Sequence, residues 1–93
     1  MLLREPSTRA ESIELLRRAV AVKPAELAPR VNLSQALKLD GRLAEGLATL
    51  DAALPFHGGN ALVWELKAEL EQLTGNAQAA AQSSASARQL RGR

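Results

Sequence analysis

Gly41 and Gly75 lie 34 residues apart, and the residues around them keep the same spacing. Leu16 pairs with Leu50, Leu39 with Leu73 and Gly46 with Ala80, while Ala19, Ala53 and Ala87 repeat the interval twice. A period of this length marks copies of one supersecondary unit, each able to bury its apolar face only against its neighbours. This constrains the fold more tightly than any local motif, because every unit must be small, self-similar and stackable.

The punctuation shows what the unit is. Thr8 with Glu11 forms a T-x-x-E capping pattern, and Ile13, Leu16 and Val20 then recur at i, i+3 and i+7 up to Pro24. Pro29 suits the first turn of a second helix, and Gly41 suits a left-handed cap at its end. Leu43, Leu47, Leu50 and Leu54 give a third helix closed by Pro55, with Phe56-His57-Gly58-Gly59 as a turn. Asn60 caps a fourth carrying Leu62, Leu66, Leu70 and Leu73, and Asn76 caps an Ala-rich fifth. Five helices are predicted, near 8–23, 28–39, 43–54, 61–74 and 77–90. The turns between them are short, so consecutive helices are antiparallel hairpins. Composition agrees: Ala and Leu dominate, and Phe56 and Trp64 are the only aromatics.

With these residues in place, the chain resembles the tetratricopeptide repeat family. The segment 27–60 fits that pattern at Leu33, Ser34, Leu37, Gly41, Gly46, Leu50 and Ala53. The segment 61–93 fits at Trp64, Ala68, Gly75, Ala80 and Ala87, and the segment 8–24 fits as a half repeat at Ser12, Leu16, Ala19 and Pro24. The resemblance implies a single all-α domain of about two and a half repeats, stacked as a short right-handed solenoid. It places Trp64 in the core. Lys67 and Glu71 stand where the family prefers Leu and Tyr, and the last helix has so few large side chains that loose docking is expected.

Several functions are disfavoured. A net charge of +2 gives no dense basic stripe for phosphates, so no nucleic-acid partner is expected; Arg88, Arg91 and Arg93 read as a solubilising end. No apolar run approaches a membrane span, and Met1 to Glu5 is too short for a signal peptide, which points to the cytoplasm. The chain has no cysteine. Its one histidine, His57, sits in a Gly-rich turn without a nearby acid and reads as solvated rather than catalytic. Metal-ligand spacings and phosphate loops are absent from the sequence, so neither enzyme chemistry nor a cofactor is expected.

Surface is what remains. In the family, the first helix of each hairpin lines a concave groove that receives a peptide or helix. Transferred residue by residue, the resemblance places Val31, Asn32, Gln35, Lys38 and Leu39 in that groove, with Ala28 at its edge. The next unit contributes Leu62, Glu65, Leu66, Glu69 and Leu73, with Gln72. Leu62 and Leu66 replace the basic pair of carboxylate-clamp members, so that mode is disfavoured. The leucines edged by Glu65 and Glu69 instead suit an amphipathic helix with basic flanks.

The expected role is a protein-binding scaffold. The alternatives are a recruitment module of a larger bacterial enzyme, such as a repeat-fused transferase, and a homo-oligomerising domain. For the last, Leu15, Leu16 and Val20 of the first helix are expected to lack cover within the chain and to bind a second copy.

Overall fold

The computed structural model describes residues 6–92, and all regular structure among them is helical. The helices are α1 (Pro6–Val22), α2 (Leu27–Leu39), α3 (Leu43–Asp51), α4 (Leu54–His57), α5 (Ala61–Leu73) and α6 (Ala77–Arg91). They stack into a body of 44 × 29 × 20 Å with 5611 Å² of accessible surface. A compact chain of this mass would expose roughly 5,200 Å²; the excess reflects the elongation of a stack.

Two glycines end helices in the same way. Gly41 has φ +77° and Gly75 φ +86°, the left-handed region that L side chains avoid. After α2, Arg42 N–H donates to Leu37 O at 2.8 Å and Gly41 N–H to Lys38 O at 3.0 Å. After α5, Asn76 N–H donates to Glu71 O at 2.9 Å and Gly75 N–H to Gln72 O at 3.1 Å. Both ends are Schellman caps, which pair the last free carbonyls and reverse the chain. Asn60 and Asn76 cap α5 and α6, accepting from Leu62 N–H and Ala79 N–H.

Three boundaries differ from the sequence reading. Thr8 is already helical, so it is not the cap of α1; Pro6 opens the described helix, where its missing N–H leaves no intrahelical bond unmade. The third helix ends at Asp51 rather than Leu54, and a one-turn helix, α4, occupies what was expected to be a turn. Proline explains both. Pro55 has no N–H to reach back one turn, and its ring crowds the carbonyl of Asp51 four residues earlier, so the helix breaks there. Ala53 N–H bonds Leu50 O at 2.9 Å before α4 restarts on Ala53 O.

The core follows the repeat. Ile13 of α1 packs with Leu33 and Leu37 of α2, and Leu16, Val20 and Ala36 close around them. Leu16 and Val20, expected at an open surface, therefore turn inward, leaving Leu15 outside. Leu50 of α3, Ala53 at the start of α4, and Val63 and Leu70 of α5 continue the core. Burying one such Leu or Val contributes about 1.5–3 kcal/mol. Gly46 lies where α5 crosses α3: a Cβ there would stand 3.1 Å from Leu70 Cδ1 and 3.4 Å from Ser34 O.

The last hairpin is not loose. α6 packs against α5 more extensively than any other helix pair. Its small Ala80, Ser83 and Ala87 are buried at the contact, letting the two backbones approach closely.

Candidate binding face

α2 and α5 are the first helices of successive hairpins, and a charged contact joins them. Lys38 Nζ donates to Glu69 Oε2 at 2.9 Å. The residues assigned to the groove spread along both helices from this contact. Leu39 and Leu73, equivalent positions of the two repeats, are 74% and 55% exposed, and Leu62 is 39% exposed. All three lie on α2 and α5, the helices to which the groove is assigned. Leu66, Val31, Gln35, Lys38 and Glu65 are half-buried, while Asn32 and Glu69 are exposed.

The acids expected to attract a basic partner already have cations. Glu69 holds Lys38, and Glu65 receives a bidentate contact from Arg91 Nε and Nη2, the latter at 2.7 Å. The Arg91 hydrogen bond, opposed by desolvation and reinforced by the guanidinium charge, holds the Glu65 carboxyl below its ordinary value. The edge of this face is therefore compensated rather than acidic, and no local pattern signals it, because Lys38 and Arg91 lie 31 and 26 residues from their partners.

Lys67 and Glu71, the two departures from the family pattern, build a polar cluster between α3, α5 and α6. Glu71 is 5% exposed. Its Oε1 accepts from Ser83 Oγ at 2.7 Å, and its Oε2 accepts from Lys67 Nζ. Lys67 Nζ also lies 3.5 Å from Asp51 Oδ1. Partial burial acts to lower the Lys67 pKa, but the Glu71 hydrogen bond and the Asp51 and Glu71 charges outweigh it and hold it above its ordinary value. A buried carboxylate persists only when paired and hydrogen-bonded. The arrangement is an internal tie, not a site open to a ligand.

Two other residues sit differently from their sequence reading. Trp64 is half-buried rather than core, because its indole N–H reaches out to Gly58 O at 2.8 Å. His57 is half-buried rather than solvated: Nε2 donates to Ala25 O at 2.7 Å, tying α4 to the turn between α1 and α2. Arg30, which the sequence reading passed over, is 8% exposed and donates through Nε to Pro24 O at 2.8 Å in that same turn. Among the described residues, no three metal-ligating side chains converge, and no helix is long and apolar enough to cross a membrane.

Comparison with known proteins bears on the same architecture. No curated protein matches the chain. The solved structure of MamA MSR-1 C2, a tetratricopeptide-containing protein, superposes with a TM-score of 0.85 at 22% identity. The match covers 91% of this chain and 49% of that one, so the chain spans about half the length of this structural relative. At this identity the likeness speaks to fold, and the fold is the helical repeat stack described above. The tetratricopeptide repeat model matches residues 7–70. With its period, its paired Schellman caps and its small residues at the helix crossings, the chain belongs to the tetratricopeptide repeat family.

Proposed function

We propose that this protein-interaction scaffold takes an amphipathic helix along the face formed by α2 and α5, with Leu39, Leu62, Leu66 and Leu73 as its apolar contacts. One observation carries the reading: Leu39 and Leu73 stay largely exposed at equivalent positions of successive repeats. Helix-in-groove recognition uses an apolar strip, with polar residues at its rim fixing orientation. Asn32, Gln35 and Gln72 supply that rim. Because Lys38 and Arg91 already neutralise Glu69 and Glu65, apolar fit rather than basic flanks selects the partner. The chain acts by binding, not by catalysis.

The test is a displayed library of amphipathic helical peptides, selected on the wild-type chain and counter-screened on Leu39→Glu/Leu73→Glu. Both positions are exposed, so the variant keeps its helical circular dichroism. Selected peptides should lose binding to the variant and perturb amide signals along α2 and α5. Binders that ignore the double substitution, or that perturb only α1 or α6, would rule the face out.

A further inference from the structure

The outer side of the α5/α6 hairpin is a trough. One depression of about 380 Å³ is lined by Glu65, Ala68, Glu69, Gln72, Ala80, Ala81 and Ser84, among others. A second, of about 560 Å³, continues it past Ala87 to Arg88 and Arg91. The repeat shows what such a trough holds. Thirty-four residues earlier, Ser34, Gly46, Leu50 and Ala53 occupy the positions of Ala68, Ala80, Ser84 and Ala87, and α5 packs across them with Leu70 over Gly46. With Leu70 over Gly46 and Lys67 beside Asp51, α5 runs antiparallel to α3. A helix filling the open trough in the same way runs antiparallel to α6 and sets a large aliphatic side chain over Ala80 and Ala81.

α1 carries a face of that description. Glu11, Glu14, Leu15 and Arg18 fall at i, i+3, i+4 and i+7 and line one surface depression, and Leu15 is 63% exposed. With Leu15 over Ala80 and Ala81, the antiparallel direction brings Glu11 one turn along α6 toward Arg88. It brings Arg18 the other way, to the wall formed by Glu69 and Gln72. Opposite charges meet at the Glu11–Arg88 end, and at the other end Arg18 joins Lys38 on Glu69. Arg88 makes no ion pair among the described residues, and the Glu14–Arg18 contact within α1 is long at 3.7 Å and open to exchange.

We infer that a second copy of this chain docks its α1 into the α5/α6 trough, head to tail, with Leu15 as the inserted side chain and Glu11–Arg88 and Arg18–Glu69 as the flanking pairs. Each copy presents one donor helix and one acceptor trough. The contact is heterologous, so it closes into a ring or extends as a filament. It uses neither Leu39 nor Leu73, and it borders the peptide-binding face along the shared wall of Glu69 and Gln72.

Complementation tests it directly. Leu15→Glu spoils the donor and leaves the trough; Ala81→Arg fills the trough and leaves the donor. Both positions are exposed, and circular dichroism checks that each variant is folded. In sedimentation velocity at tens of micromolar, the wild type should exceed monomer mass and each variant alone should be monomeric. An equal mixture of the two should stop at a dimer. A monomeric wild type, a mixture that stays monomeric, or a variant that assembles like the wild type would overturn the inference. Charge exchange gives a second reading: Glu11→Arg and Arg88→Glu should each weaken association up to about fivefold, the upper worth of an exposed pair. Together they should restore it, and failure to restore counts against this register.

Discussion

Leu70 Cδ1 of α5 lies 3.1 Å from the point where a Cβ on Gly46 of α3 would sit. Contact this close leaves no room for a branched side chain between the two hairpins. Gly46→Leu should therefore cost about 1–3 kcal/mol, the usual penalty of overpacking. Gly46→Ala should be nearly neutral, since the flexible end of Leu70 can yield a few tenths of an ångström while alanine favours the helix by up to about 1 kcal/mol. Thermal melts separate the two. A Leu variant as stable as the wild type would mean that α5 does not cross α3 at this point.

Ser83→Ala should destabilise the last hairpin by about 1–3 kcal/mol, because it removes a hydrogen bond from a buried carboxylate. Replacing both groups, as Glu71→Leu/Ser83→Ala, should cost less than the sum of the single changes. A double-mutant cycle from urea melts gives the coupling, expected at about 1 kcal/mol. Strict additivity would show that the two side chains do not interact.

His57→Ala should cost about 0.5–1.5 kcal/mol, the typical worth of one intramolecular hydrogen bond. A solvated loop histidine would be neutral to within about 0.5 kcal/mol. Denaturant titration of the variant distinguishes the cases, and a neutral result would remove the link to Ala25.

Acid should loosen the surface pairs in a defined window. Glu65 and Glu45 both have carboxyls held below the ordinary value of 4.5, chiefly by hydrogen bonds from Arg91 and Arg42. A group depressed on folding contributes stability above its unfolded pKa and loses it as pH falls through the folded one. The melting temperature should thus begin to drop below about pH 4.5. Arg91→Gln should flatten part of that drop, and added salt should shrink it further. A variant with the wild-type acid profile would show that the Arg91 contact is not formed in solution.

The backbone plan was readable because its signals are local. Gly41 and Gly75 announce left-handed caps, Asn60 and Asn76 announce helix starts, and the repeat period orders the hairpins. Pro55 signals a break in this stretch but not its place: α3 ends earlier, at Asp51, and Pro55 lies inside the next turn, since whether a chain continues past proline depends on what packs behind it. The side-chain ties were hidden for a different reason. Lys38–Glu69, Arg91–Glu65 and His57–Ala25 each join residues more than two dozen positions apart, and polarity alone does not say which partner a charge will find. Leu15 and Leu16 show the limit at its smallest: adjacent leucines on one helix, of which only the angular position relative to α2 decides that Leu16 is packed and Leu15 is not.

The Ala-rich surface of α6 has a consequence for how the last hairpin finds its alignment. Ala80, Ser83 and Ala87 fill the contact with α5, yet sliding the helix by three residues would bring Ala77, Ala80 and Ser84 to the same places. By size alone the two alignments differ little, because a smooth row of small side chains has few notches. Only one of them sets a hydroxyl against Glu71; the other sets the methyl of Ala80 there. The polar contact thus works as a vernier mark on an otherwise unruled scale, fixing by hydrogen-bond geometry a position that steric packing leaves nearly degenerate.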